Sequence, residues 1–360
     1  MKFWITGVAS PRSSARTAAQ MEEAGWDGLL VVDSQNLSGD PYVALAMAAT
    51  ATSRLGLGTG VTNCVTRNAA ATACAIASVD RVSGGRAVLG IGRGDSALAH
   101  LGRAPARPAV FERYLRQLQT YLRGEAVAFD DIDIPESVAP PLSGLELADA
   151  PPASRIDWIA AGRGPKIQVE AAASGPTVIA IAARHADRVM FALGADEDRI
   201  AWGIETARAA RLKAGLDPDG ISFGAYLNVG CNPDMEVARS LVRGGLTTFA
   251  RFSVMHGKAS GPVSEQDRAV LHDLRNAYDM KAHTRGDSAQ AGVLTPAFID
   301  RFAVTGTPDQ CIDRLQRLAA LGLERVAITG ALRGVSEIDA AKSRALLEQE
   351  VLPAVRASAA

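Results

Sequence analysis

Two hydrophobic periods alternate along this chain. Short, near-continuous apolar runs rich in β-branched residues are separated by longer Ala-rich runs whose apolar positions recur at helical spacing. The short runs predict strands at 3–5, 28–33, 55–61, 86–92, 167–173, 188–193, 221–229 and 324–329. The longer runs predict helices at 13–24, 42–51, about 68–81, 108–122, 177–186, 198–214, 235–252, 307–321 and 338–355. Local chemistry supports several of these boundaries. Asp40-Pro41 places a capping carboxylate before a proline at the first helical position, and Thr307-Pro308-Asp309 repeats the device. Gly25 and Gly322 close the helices that precede them.

Eight strands separated by helices predict a parallel sheet, and eight such units in one chain favour a closed (β/α)8 TIM barrel over an open doubly wound sheet. The expectation is therefore an α/β fold, a single barrel domain over 1–360. Regularity lapses twice, at about 123–166, where Pro135, Pro140, Pro141, Pro151 and Pro152 cluster, and at about 256–296. Both stretches read as irregular insertions between barrel units. A dinucleotide fold is set aside, because the only glycine cluster, GIGRGD, follows the fourth strand and lacks the third glycine at the required spacing.

Composition narrows the function. Hydrophobic residues make up 48% of 360 positions, enough for a large core. The net charge is −1, with acids and bases interspersed, which gives no electrostatic case for nucleic acid or an anionic membrane as partner. The opening MKFWITGVASPRS has only a short apolar stretch, so neither a signal peptide nor a membrane span is expected. Cys64, Cys74, Cys231 and Cys311 show no CxxC spacing, which argues against a disulfide framework or zinc site and fits a reduced, cytoplasmic protein. The five histidines form no HxH or HExxH pair, so no metal centre is expected. What remains is a small-molecule substrate.

In a barrel of this kind the functional residues follow the strands, at the carboxyl-end mouth. Asp33 closes the second strand, with Ser34 next. It is placed to accept a ligand hydrogen bond, to act as acid or base, or to hold a loop. Gly60, Val61, Thr62 and Asn63 follow the third strand; Gly60 either lets the backbone approach a planar ligand or forms a plain turn. The richest stretch is RAVLGIGRGDSALAHLG at 86–102. Its apolar strand breaks into Gly90, Gly92 and Gly94, then reaches Asp95-Ser96. Asp95 reads as a pocket carboxylate or a helix cap, and both hold if Ser96 caps. Arg93 adds positive charge near a bound anion or pairs with Asp95. Ala173, Ser174, Gly175, Pro176 and Thr177 join the fifth strand to a helix and offer a phosphate cradle, or a generic turn. Gly194-Ala195 follow the sixth strand. His100, His185, His256, His272 and His283 read as surface or loop residues, His100 alone being near the mouth, and Trp158 and Trp202 as packing residues. No Ser-His-Asp or Cys-His constellation is present.

At these positions the chain resembles the bacterial luciferase-like flavoenzyme superfamily, and within it the branch that uses the deazaflavin coenzyme F420, such as methylenetetrahydromethanopterin reductases. The carrying segments are GWDGLLVVDS (25–34), RLGLGTGVTN (54–63), RAVLGIGRGDSALAHLG (86–102), AAASGPTVIAIAARHADRV (171–189) and FAVTGTPDQCIDRLQRLAALGLERVAI (302–328), in the expected order. The resemblance implies coenzyme F420 at the mouth of a TIM barrel and a cis Gly60–Val61 peptide bulging against its central ring. It also implies Asp33 and Ser34 over the ring system, and the coenzyme phosphate at 173–177. Asp95 matches a pocket carboxylate that is Glu in some relatives. Some deazaflavin dehydrogenases carry His where this chain has Ser34, so a histidine base does not transfer. The resemblance further implies a homodimer and hydride transfer to or from a small organic substrate, with Asp95 or Asp33 handling the accompanying proton. The alternatives are an FMN-dependent monooxygenase of the same superfamily, and a flavin-binding barrel without turnover.

Overall fold

The structure is a computed structural model that describes residues 1–10, 12–159, 165–255 and 257–358. His256 and residues 160–164 of the first insertion lie outside the described residues. Among the described residues there are ten strands: β1 (Lys2–Val8), β2 (Gly28–Val32), β3 (Gly56–Thr59), β4 (Thr62–Asn63), β5 (Ala87–Gly92), β6 (Gln168–Ala173), β7 (Arg188–Phe191), β8 (Ser222–Cys231), β9 (Val304–Gly306) and β10 (Leu323–Thr329). Eight of them, β1, β2, β3, β5, β6, β7, β8 and β10, pair in parallel in that order. The pairing of β10 with both β8 and β1 closes the barrel.

The two extra strands both extend the mouth. β3 stops at Thr59, and β4 resumes alongside β5 with Thr62 opposite Ile91. β9 was not expected; it pairs with the carboxyl end of β8, Val229 facing Val304.

Residues alternate across the barrel wall with the period of two that strands impose. Leu29 and Val31, Leu89 and Ile91, Val189 and Phe191, Ala225 and Leu227, and Val326 and Ile328 join the large core between wall and helices. Trp4, Leu30, Val88, Met190, Tyr226 and Ala327 form a second, interior core. The same inward register carries Glu170, Arg188 and Arg325. Glu170 is fully buried and accepts from both arginines, and the Arg325 guanidinium lies 4.1 Å from the centroid of the Trp4 ring. This charged layer lies towards the amino-terminal ends of the strands. Burying three charges is tolerable only because each is paired.

The helix signals act as read. Asp40 accepts from the amides of Tyr42 and Val43 ahead of helix Pro41–Ala51. Thr307 and Gln310 form a reciprocal capping box ahead of helix Pro308–Ala320. The expectation that fails is the irregularity of 256–296. This stretch holds helix Glu265–Ala277, capped by Ser264 onto the amide of Asp267, and a short helix Ala289–Gly292. The long helix escapes the pattern because Gly261 and Pro262 precede it and its middle carries only Ala269, Val270, Leu271 and Leu274 as apolar residues. Its buried side, Leu271 and Leu274, packs with Phe298, Ile299 and Phe302 in a separate small core. The described residues of the first insertion are as irregular as expected, with two single turns of 3₁₀ helix and one bridge between Val127 and Ser154.

Candidate active site at the barrel mouth

The carboxyl ends of β2, β4 and β5 bring most of the expected residues together. Asp33 follows β2 and is buried. Its Oδ2 accepts from Thr62 Oγ1 at 2.7 Å and from Arg67 Nη1 at 2.6 Å. The other arm of Arg67 reaches Asp40 Oδ2 at 2.6 Å. Arg67 also lies over the Tyr42 ring, 5.0 Å from its centroid. Burial raises the Tyr42 phenol to about 12, against the pull of Thr62 and Arg67, so it is a neutral group at physiological pH.

Ser34 Oγ meets Ser96 Oγ at 2.7 Å, and Gln35 Nε2 donates to the Ala97 carbonyl at 2.8 Å. The segment after β2 is thereby tied to the segment after β5. Ser96 does not cap a helix. Asp95 holds the capping position of the short helix Ser96–Ala99, but its side chain makes no capping bond. Nor does Arg93 pair with Asp95: Arg93 Nε donates to the Ala106 carbonyl at 2.5 Å, and burial lowers its pKa. Gly94 has φ +85°, and a Cβ there would lie 2.7 Å from Leu98 Cδ1. Glycine is therefore required to turn the chain into Asp95.

The Gly60–Val61 peptide is cis, the geometry the resemblance implies. Asn63 Oδ1 accepts from the amides of Val65 at 3.0 Å and Thr66 at 2.9 Å. Its Nδ2 is buried and has no hydrogen-bond partner among the described residues; the same holds for Asp95 Oδ2. Ser174 and Gly175 lead into helix Pro176–His185, whose amino terminus carries no side-chain cap. A Cβ on Gly175 would come 3.6 Å from Ser260 Oγ, which places the second insertion over this turn.

Arg67 was missed in the sequence, and so were three contributors around Asp95. Arg251, at the end of helix Met235–Phe252, donates from Nη2 to Asp95 Oδ1. Its guanidinium stacks 4.4 Å from the centroid of Tyr278, whose hydroxyl lies 2.7 Å from His283 Nδ1. His283 belongs to this network rather than to an isolated loop. Burial lowers its pKa, with Asp95 acting in the opposite sense and Arg251, His100 and Arg333 reinforcing the fall. Burial likewise raises the Tyr278 pKa. One further unforeseen residue is structural. Arg199 is fully buried and donates to the carbonyls of Leu193, Ser260 and Pro262 and to Ser253 Oγ, at 2.8–3.1 Å. It anchors the start of the second insertion to the barrel.

His185 pairs with Glu112 at 2.8 Å, and Trp158 with Arg81, both away from this group. No cluster that could hold a metal is present among the described residues, and none of their helices is long and apolar enough to cross a membrane.

A parallel barrel with a polar, carboxylate-bearing mouth is a scaffold that hosts many activities, and comparison narrows the class. The chain belongs to the luciferase-like monooxygenase family, whose model matches residues 4–325. It is 28% identical over 316 residues to a 5,10-methylenetetrahydromethanopterin reductase of Methanolobus tindarius, covering 87% of this chain and 88% of that protein. The reductase of the same name from Archaeoglobus fulgidus is 29% identical over 346 residues, 93% of each chain. The solved coenzyme F420-dependent tetrahydromethanopterin reductase of Methanopyrus kandleri shares the fold, with a TM-score of 0.71, 21% identity and 98% coverage of both chains.

Proposed function

We propose that this chain is a coenzyme F420-dependent oxidoreductase that moves a hydride between the deazaflavin and a small organic substrate at the barrel mouth. The observation that carries the reading is the agreement of two findings. Similarity to reductases runs along almost the whole chain, and two buried, unpartnered polar atoms, Asn63 Nδ2 and Asp95 Oδ2, stand on neighbouring segments of the mouth.

The residues present suit such a coenzyme. Asn63 Nδ2 is a donor without an acceptor, suited to a ring carbonyl. The uncapped amino terminus of helix Pro176–His185 offers amides and the positive end of a helix dipole to a phosphate. In this reading Ala173, Ser174, Gly175, Pro176 and Thr177 hold the phosphate. Asp33, Ser34, Gly60, Val61, Thr62, Asn63, Gly92, Arg93 and Gly94 shape the ring site. When bound, a deazaflavin supplies two-electron hydride chemistry.

The protein supplies orientation, exclusion of water and a proton path. Asp33 has its Oδ2 committed to Thr62 and Arg67, so it serves to brace the wall of the ring site. Asp95 has one oxygen held by Arg251 and one unpartnered. It is therefore the better placed carboxylate to accept or return the proton that accompanies hydride transfer. The insertions at 123–166 and 256–296 supply substrate selection. The test is anaerobic incubation of the protein with oxidised or reduced coenzyme F420 and a panel of alcohols, ketones and methylene-carrying pterins. Substrate-dependent change in the coenzyme's absorbance is expected. Turnover only with FMNH2 and oxygen would replace this reading with the monooxygenase one.

A further inference from the structure

The network around Asp95 runs outward into the second insertion. Asp95 Oδ1 accepts from Arg251, the Arg251 guanidinium carbon lies over the Tyr278 ring, and the Tyr278 hydroxyl is shared with His283 Nδ1 at 2.7 Å and Thr248 Oγ1 at 3.4 Å. A second ring, Phe252, lies 5.7 Å from the same guanidinium. Helix Met235–Phe252 carries Gly244, where a Cβ would lie 2.3 Å from the Thr284 carbonyl. The backbone beside His283 therefore sits directly on the helix that bears Arg251.

We infer that Arg251 is the positioning residue for Asp95, and that Tyr278 and His283 lock Arg251 so that Oδ2 of Asp95 is the oxygen presented to substrate. The inference rests on Asp95 being the pocket carboxylate of the proposed function. A short carboxylate turns freely about its last bond unless one oxygen is held. A guanidinium holds it best when its own plane is fixed by stacking. The oxygen left over is acceptor-only while the carboxylate is ion-paired. The substrate group meeting it is thus a hydrogen-bond donor, a hydroxyl or an amine on or next to the carbon that exchanges hydride.

The coupling can be read without coenzyme or substrate. The titratable or charged groups acting on His283 are Asp95, Arg251, His100 and Arg333, with Tyr278 bonded to its ring. The His283 ring is followed by NMR in the full-length, histidine-labelled protein, assigned with His283→Gln. Removing the negative neighbour in Asp95→Asn is expected to lower the His283 midpoint, and removing the positive one in Arg251→Met to raise it, each by about 0.5 in pH or more. Arg251→Lys is expected to return the midpoint towards wild type while failing to restore the Asp95 orientation in a crystal structure, since it has charge but no planar stack. Midpoints unmoved in both Asp95→Asn and Arg251→Met would overturn the coupling. An Asp95 side chain unturned in the Arg251→Met crystal structure would overturn the positioning. If Arg251→Met does not fold, Asp95→Asn reads the same pair from its other end. Failure to bind coenzyme F420 with these shifts intact would count against the proposed function alone.

Discussion

Asp33 follows β2 and Asp95 follows β5 at one mouth, yet their surroundings differ. Asp33 has a side chain only 1% exposed and shares Oδ2 between Thr62 and Arg67, itself 23% exposed. Removing the cation leaves a buried carboxylate uncompensated. Arg67→Met is therefore expected to cost about 2–4 kcal/mol, below the cost for a wholly buried pair because Arg67 reaches solvent. Urea unfolding checks this, and an unchanged midpoint would deny Asp33 its bracing role. Asp95, with an unpartnered oxygen, is the group to which the proposed function assigns the proton. Asp95→Asn is expected to lower turnover about 100-fold or more, the usual range for a lost acid–base group. Coenzyme F420 affinity should stay within about threefold. Steady-state kinetics and a binding titration on one preparation separate the two effects.

Among elements, the ties between segments distant in sequence decide how the barrel is held. Helix Ser14–Glu23 offers Glu22 to the amides of Ser53, Arg54 and Leu55 at 2.6–3.0 Å, just before β3. Burial works against its charge, but the backbone and Ser53 bonds win and hold the carboxyl down to about 2, from an ordinary 4.5. A carboxyl depressed in the folded state stabilises above its unfolded pKa and loses that contribution as pH falls. The loss thus spans pH 4.5 down to about 2. Glu22→Gln is expected to flatten the acid side of the stability profile over that window and to leave its shape at neutral pH unaltered, as thermal melts across pH would report. On the opposite side of the barrel, Arg199 ties Ser253, Ser260 and Pro262 to Leu193. Its neutral analogue would leave several buried acceptors unsatisfied, at about 1–3 kcal/mol each. Arg199→Met is expected to raise hydrogen exchange in the segment around Ser260 far more than in β5 or β6.

For the whole molecule, the barrel was legible because its strands are near-continuous apolar runs with glycine or capped helix starts between them. All eight closing strands fall where the pattern puts them. The mouth was legible as a set of positions following strands, and Asp33, Ser34, Thr62, Asn63 and Asp95 do adjoin one another there. Their partners were not legible. Arg67, Arg251, Tyr278 and His283 are ordinary surface-type residues in sequence, and only tertiary packing turns them inward. Glu170, Arg188 and Arg325 broke the apolar register of their strands, a signal that was available, since an inward polar residue in a closed barrel must find partners. Helix Glu265–Ala277 had a cap, Ser264 with Asp267 three residues on, but too few apolar positions to stand out.

The central claim is that this mouth is built for a deazaflavin. Parallel equilibrium titration of the purified protein with coenzyme F420 and with FMN, followed by fluorescence, tests it most directly. Saturable binding of coenzyme F420, with FMN at least about tenfold weaker, is the predicted result. Tight binding of FMN with none of the deazaflavin would contradict it.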